Sequence, residues 1–395
     1  MQGPFVRIVP EIMKDARLLA ALVAIAFLCS FFSLQGQKRK KKEEEEVTQT
    51  LEVLPDPPAA LQADTSRLTF HVSPMSVKGL LSQQVREAIK ALWRLNNKGQ
   101  IVRLRAFVAG TGDLRRVQSI VSEMFSERRL PLPVLSVVQV GLLPAEGAQV
   151  VIESISVDKK PVNKQGLAFV SGQAVSAPLD PSQPNLKVAP LAEKSIANLG
   201  RALASVQLEP KDVLRVTCFV SSLDDYLEVR RLVASGFPSA AANIVQIQRA
   251  PAGSIVECES VARLREPPGA PLKLVNPAEL EASPNYSHVA LVGSPKVVLS
   301  GAQLGFRTQD SDVRLAFERL KSSVEQAGGA LSRVAMSSIY PLSPQITAKI
   351  RAIRFDYYDK QNPPASTMLL FEGLPSLEAS FAVDIIGIPA RAPSS

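Results

Sequence analysis

The chain has 395 residues, of which 46% are hydrophobic, 21% charged and 5% aromatic, and it carries 30 prolines. That composition excludes wholesale disorder, a collagen-like repeat and a polytopic membrane protein. Lys and Arg exceed Asp and Glu by 45 − 37 = 8, but the excess is scattered. The one dense run, Lys38–Lys42, is followed at once by Glu43 to Glu46, so no nucleic-acid partner is expected.

The first element is apolar. From Leu18 to Gln37 there is no charge, and about twenty such residues at ~1.5 Å rise cross a ~30 Å hydrocarbon core. Residues 1–37 therefore read as an N-terminal segment with one transmembrane helix at about 18–37. Arg7, Lys14 and Arg17 would also suit a cleaved secretory signal, but Ser33 to Gln37 offers no small-x-small site. The basic run after the span favours modules on the cytoplasmic side, while the basic residues before it oppose that orientation. Residues 38–66, charged and then rich in proline, read as an exposed tether.

Beyond the tether the sequence repeats. Leu81, Val85, Ala88, Ile89 and Leu92 are spaced for one helix face and precede the strand-like run Ile101 to Val108. Ile196, Leu199, Leu203 and Val206 stand in the same way before Val213 to Val220. Val313, Phe317, Leu320 and Val324 do so before Val334 to Tyr340. A second helix follows each central strand, most clearly at Asp113 to Glu127 and Asp224 to Ala234. Each unit closes with two strands around Pro144, Pro251 or Pro375: 137–140 and 149–157, 244–247 and 254–261, 368–371 and 380–386.

The unit is ββαβαββ-like and occurs three times: 67–160, 161–265 and 285–389, with a linker at 266–284 and a tail at 390–395. The fold class is α+β. One sheet face of each unit is covered by its helices. The other carries apolar residues too, so three sheets burying those faces together would close an intramolecular pseudo-trimer and give a monomeric chain. Cys29, Cys218 and Cys258 are too few for a disulfide scaffold, and the last two, in strand-like segments, read as buried free thiols. His71 and His288 have no Cys or acidic partner at metal-ligand spacing, so neither a metal nor a cofactor is expected.

Unit two contains Gly166 to Gln173 with Ser171-Gly172, then Asn198-Leu199, Asp212 to Val220, Asp224-Asp225-Tyr226, Phe237-Pro238 and Val256 to Ala262. Unit three contains Asn285 to His288, Ser300-Gly301 and Ala327-Gly328; unit one keeps Leu143-Pro144 and Gly147 to Val150. In this order the motifs resemble the RidA/YjgF (reactive intermediate deaminase) family over residues 67–389. The resemblance implies chorismate-mutase-like modules with pockets between neighbours that hydrolyse enamines and imines. It also implies an arginine gripping the substrate carboxylate and a glutamate orienting water.

The matching positions are mostly changed. Leu135, Ala242 (or Asn243 under a shifted gap) and Ser366 stand where the arginine belongs, and Arg249 is a poor substitute because odd spacing turns it to the opposite strand face. Glu257 matches the glutamate, where units one and three have Val151 and Ala382. Tyr286 matches the pocket tyrosine, and Ser171 and Ser300 the pocket serine.

The candidate catalytic residues are therefore Glu257 and Tyr286, and the candidate ligand contacts are Ser171, Gly172, Ser300 and Gly301. The expectation is a membrane-tethered, non-catalytic protein binding a small molecule or a protein between modules. The alternative is a divergent deaminase using Ser171, Glu257, Tyr286 and Ser300 between units two and three. A ribonuclease is not expected, since no His or Lys pair suits phosphoryl chemistry and no basic groove is visible.

Overall fold

The computed structural model describes residues 53–97, 99–110, 112–178 and 187–390, and Leu54 onward forms one unit. The expected span at 18–37 and most of the tether lie outside the described residues. Among the described residues no helix is long and apolar enough to cross a membrane.

Strand β1 (Ala60–Asp64) and β2 (Leu68–Val72) precede α1 (Leu81–Leu95), β3 (Gln100–Ala109), α2 (Arg115–Glu127), β4 (Val134–Val140) and β5 (Val150–Val157). Next come β6 (Leu167–Ala177), α3 (Ala189–Ala204), β7 (Val213–Val220), α4 (Tyr226–Gly236), β8 (Ala241–Gln246) and β9 (Ser254–Arg263). The chain ends with β10 (Leu272–Val275), β11 (Val289–Val292), β12 (Lys296–Ser300), β13 (Gln303–Phe306), α5 (Asp310–Gln326), β14 (Gly329–Pro341), α6 (Pro344–Ile353), β15 (Ala365–Met368) and β16 (Ala379–Pro389).

The helices follow from stripes and caps. In α1 the residues Leu81, Val85, Ala88, Ile89 and Leu92 are all buried. Gln309 and Asp312 close a capping box on α5, and Ser343 accepts the Ile346 N–H at the start of α6, where Pro344 is free of the donor it lacks. The penultimate strands start three residues earlier than expected, at Val134, Ala241 and Ala365. Parallel pairing with β3, β7 and β14 extends them over Val134 to Ser136, Ala241 to Asn243 and Ala365 to Thr367, of which the last two triplets are small or polar and carry no apolar signal.

Three sheets form among the described residues, and their membership crosses the expected boundaries. The first is β2-β5-β3-β4, the second β10-β11-β6-β9-β7-β8, and the third β1-β12-β16-β14-β15 with β13 also on β16. So β1, expected in the tether, is an edge strand of the third sheet. Strand β10, expected in a free linker, and β11, expected in unit three, both extend the second. An edge strand offers a row of unpaired N–H and C=O groups, and these segments satisfy them, which pins the 266–284 stretch down.

The inner faces of the three sheets meet in layers. At one end Phe70, Val102 and Ile155 pack with Phe169 and Val261 and with Leu299 and Ile386, each group from a different sheet. At the other end Phe107, Phe219, Phe371 and Tyr340 stack edge to face, again across all three.

Between these apolar layers lies charge. The expected apolar inner face is therefore corrected: Leu104, Ala106 and Val108 turn to the helices, and Arg103 and Arg105 turn inward. Glu153, Glu259 and Asp384 occupy matching places on the last strands, opposite Arg105, Thr217 and Ser338. Arg105 bridges Glu153 and Glu259 at 2.6 Å each. Arg215 approaches the same two at 3.3 and 3.5 Å, and Arg103 pairs with Asp384. Asn243 and Thr217 donate to Glu153, and Ser136 and Tyr340 to Asp384. Three guanidiniums thus face three carboxylates, as buried charge requires.

The cysteine reading is also corrected. Cys218 and Cys258 form a disulfide. They are directly opposed residues of antiparallel β7 and β9, with Cα atoms 4.1 Å apart, the close spacing of a non-hydrogen-bonded pair. Only the register of two strands separated by 40 residues brings them together.

Candidate functional site

The candidate site lies where β6 and β9 of the second sheet meet β15 of the third. Strand β6 changes register between Val170 and Gln173, and the bulge aims Ser171 at its neighbours. The Ser171 hydroxyl donates to the Ser287 carbonyl at 2.6 Å and accepts the Ser366 N–H at 2.9 Å. Its own N–H donates to the His288 carbonyl at 2.9 Å. Ser171 therefore ties the second sheet, the 285–288 segment and the third sheet together.

Glu257 lies across Gly172, where a Cβ would collide with its carboxyl group; the glycine is what makes room. The carboxyl is buried and accepts the Met368 N–H. Burial, and then the charge of Glu259, push its pKa up to about 8, against the pull of Arg351 and that hydrogen bond. Tyr286 meets the His288 ring edge-on at 5.3 Å, and burial followed by the Glu257 charge raises its hydroxyl. His288 sits with Nε2 2.9 Å from the Glu281 carbonyl.

Arg354, beyond the end of α6, donates to the Asn285 carbonyl, and burial lowers its pKa to about 10. Around this cluster Ser366 Oγ, His288 Nδ1 and Arg354 Nε are buried without a hydrogen-bond partner among the described residues. A cavity of about 340 Å³ adjoins it, lined by Gln173, Asn198, Ser283, Tyr286 and His288 but not by Glu257.

The structure brings Ser171, Gly172, Glu257 and Tyr286 together and sends Ser300 and Gly301 elsewhere. Phe169 and Leu299 hold matching places, opposite Val261 and Ile386, each two residues past an inner carboxylate. Ser171 follows Phe169 by two residues and Ser300 follows Leu299 by one, so the two Ser-Gly pairs are out of step and the serines leave opposite faces. Ser300 accepts the Ile385 N–H. Gly301 lies against the Leu135 backbone, where the third sheet meets the first. Four residues expected to share one cleft are therefore split between two.

The arginine positions are also accounted for. Leu135 meets the Ala302 N–H through its carbonyl, Ala242 is exposed, and Ser366 faces Ser171. Arg249 is on a loop 3.9 Å from Glu372, away from the site. The guanidiniums that do approach it, Arg351 and Arg354, were missed by sequence reasoning. They belong to the last turn of α6 and the turn after it, and only a helix-end basic signal marks them.

The molecule is a mixed α+β body of several sheets with a buried carboxylic acid where two of them meet. Comparison with known proteins supplies the family. The Endoribonuclease L-PSP family model matches residues 159–264, which hold β6 to β9 of the second sheet and the helices α3 and α4. Protein DfrA of Myxococcus xanthus is 34% identical over 102 residues, covering 24% of this chain and 75% of that protein. The chain belongs to the RidA/YjgF family.

Two solved structures are similar. A Rid-family protein from Yersinia pestis is 17% identical with a TM-score of 0.27, over 30% of this chain and 99% of that one. The YjgF product of E. coli is 22% identical with a TM-score of 0.22, over 26% and 93%.

Proposed function

We propose that this RidA-like protein is membrane-tethered and non-catalytic, its three modules closing an intramolecular pseudo-trimer whose clefts bind a small molecule or a protein. One observation carries the reading. Where the family resemblance implies a guanidinium for the substrate carboxylate, the three clefts offer Leu135, Ala242 and Ser366. A carboxylate bound beside Glu257 would meet no bidentate partner at that position, and a buried anion left unpaired costs about 3–5 kcal/mol. Layers of apolar, charged and aromatic residues shared by all three sheets support the closed assembly.

The experiment is an ammonia-release assay of the full chain with freshly generated 2-aminoacrylate or 2-iminobutyrate. No rate above solvent is expected. Turnover abolished by Glu257→Gln would overturn the reading in favour of a divergent deaminase. One feature speaks for that second reading: a carboxyl held neutral up to about pH 8 beside Tyr286 has the protonation state of a general acid.

The disulfide bears on orientation. Disulfides persist in oxidising compartments, so the Cys218–Cys258 bond supports a body on the extracytoplasmic side. That is opposite to the side favoured by the basic run Lys38–Lys42. Trapping free thiols in intact cells with a maleimide should leave both cysteines unlabelled until reductant is added. Labelling without reductant would place the body in the cytoplasm.

A further inference from the structure

Two of three matching strand edges are filled by the chain's own extended segments. In the second sheet β11 runs along β6, with Ala290 opposite Phe169. In the third β1 runs along β12, with Leu61 opposite Leu299. Just past these pairs the same hydrogen bond recurs: Ser171 N–H to the His288 carbonyl, and Gly301 N–H to the Ala59 carbonyl, both 2.9 Å. In the first sheet the matching residues are Phe70, opposite Ile155 and so two past Glu153, and Val72. There β2 pairs with β5 alone. Among the described residues no strand covers its other edge.

The loop between β5 and β6 does not do so. Its Val162 and Asn163 N–H groups reach Ser66, and the Asn163 side chain reaches the Leu68 carbonyl, which leaves the edge from Phe70 to Val72 uncovered among the described residues. Alternation along an antiparallel strand points the Phe70 and Val72 backbone groups outward, as at Phe169 and Ser171. Beside that edge opens a cleft of about 490 Å³ lined by Val72, Ser73, Arg94, Leu95, Ala241 and Ala242. Leu95 is 51% exposed, and Arg94 makes no ion pair among the described residues.

In the two matching clefts the chain's own segments form part of the wall and leave smaller spaces of about 140 and 340 Å³. Pro57, Pro58 and Ala59 line the one between the third and first sheets, where Asp56 accepts from Gln118 of α2. Ser283, Pro284 and Tyr286 line the one between the second and third. Both segments share a pattern: an acid (Asp56, Glu281), then proline, then a short strand.

We propose that the outer edge of β2 and this cleft are a docking site for an extended peptide of a partner protein. The peptide adds an antiparallel strand to the first sheet, with an acid-proline stretch ahead of the strand lying towards Arg94. Strand addition supplies main-chain hydrogen bonds, and the cleft supplies selectivity. The proposal rests on the binding reading above, but the turnover assay uses no peptide, so either can fail alone.

The probe is a fluorescein-labelled peptide copying residues 54–64, titrated against the full chain in detergent micelles and read by anisotropy. Saturable one-to-one binding is expected. Val72→Pro, which removes the outward N–H, and Ala242→Trp, which fills the cleft, should each weaken it at least tenfold. Replacing the first aspartate of the peptide by asparagine should weaken binding to the natural chain several-fold and leave binding to Arg94→Ala unchanged. Should Val72→Pro not fold, Ala242→Trp, at an exposed residue, decides. Absence of saturable binding, or binding that both variants leave intact, overturns the proposal. So does a dimer of the chain that Ala242→Trp dissolves, since a second copy would then own the edge.

Discussion

Glu257 and Glu259 stand two residues apart on one strand face, yet they live in opposite surroundings. Glu259 enters the central layer, where Arg105 donates to it at 2.6 Å and Arg215 lies at 3.5 Å. Its counterpart Glu153 sits in the same layer. Burial alone would raise its pKa, but Arg105, Arg215 and two neutral donors hold it down at about 2. Glu257, one step nearer the junction with the third sheet, has one backbone donor and, among the described residues, no guanidinium bonded to it, and burial takes its pKa to about 8. The two regions show that burial does not fix the charge of a carboxyl group; the partners that the neighbouring sheet supplies do. The inner layer is built to hold ions for cohesion, and the junction is built around a neutral acid.

Breaking the central layer should have the largest effect. Arg105→Ala leaves Glu153 and Glu259 buried with only Arg215 between them in place of two guanidiniums, and an unfolding free energy lower by about 3–5 kcal/mol is expected in chemical denaturation. A loss under 1 kcal/mol would mean that the layer is hydrated and contributes little. Next comes the disulfide behind the same strand: Cys258→Ala should remove about 2–4 kcal/mol, seen as a lower thermal midpoint that reductant no longer changes. Sensitivity to reductant that persists in the variant would show that the cross-link lies elsewhere.

The smallest effect is the most discriminating. Because the Glu257 pKa is raised on folding, the stability it contributes is full below about pH 4.5 and is lost as the pH rises through about 8. The slope is at most about 1.4 kcal/mol per pH unit. Glu257→Gln should flatten the natural protein's decline across that window. Glu153→Gln should behave in the opposite sense. The depressed pKa of Glu153 contributes stability above about pH 4.5 that is lost as the pH falls through about 2, so the variant's deficit should shrink only in acid. Identical pH profiles for the two variants would erase the contrast.

Much of the local architecture was legible in the sequence. The stripes of α1, α3 and α5 and the apolar runs of β3, β7 and β14 are periodic, and periodicity reports which face a residue presents to its own core. The proximity of Ser171, Glu257 and Tyr286 was legible through the family resemblance. Ser300 was not, because a register difference of one residue leaves the Ser-Gly pair unchanged in sequence while turning the serine to the other face. The inward turn of Arg103 and Arg105 was hidden in a similar way, since alternation marks two faces without saying which of them meets another sheet.

The chain's own pattern determined that it would form α+β units with helices on one sheet face, because that follows from side-chain spacing and the need to bury apolar stripes. Tertiary structure alone decided which strand borders which sheet, which cysteines oppose one another and which carboxyl group meets an arginine. Those outcomes depend on backbone hydrogen bonds and charges brought together from segments far apart in the chain. Backbone groups look alike at every position, so no residue in β1, β10 or β11 announces the sheet it will join.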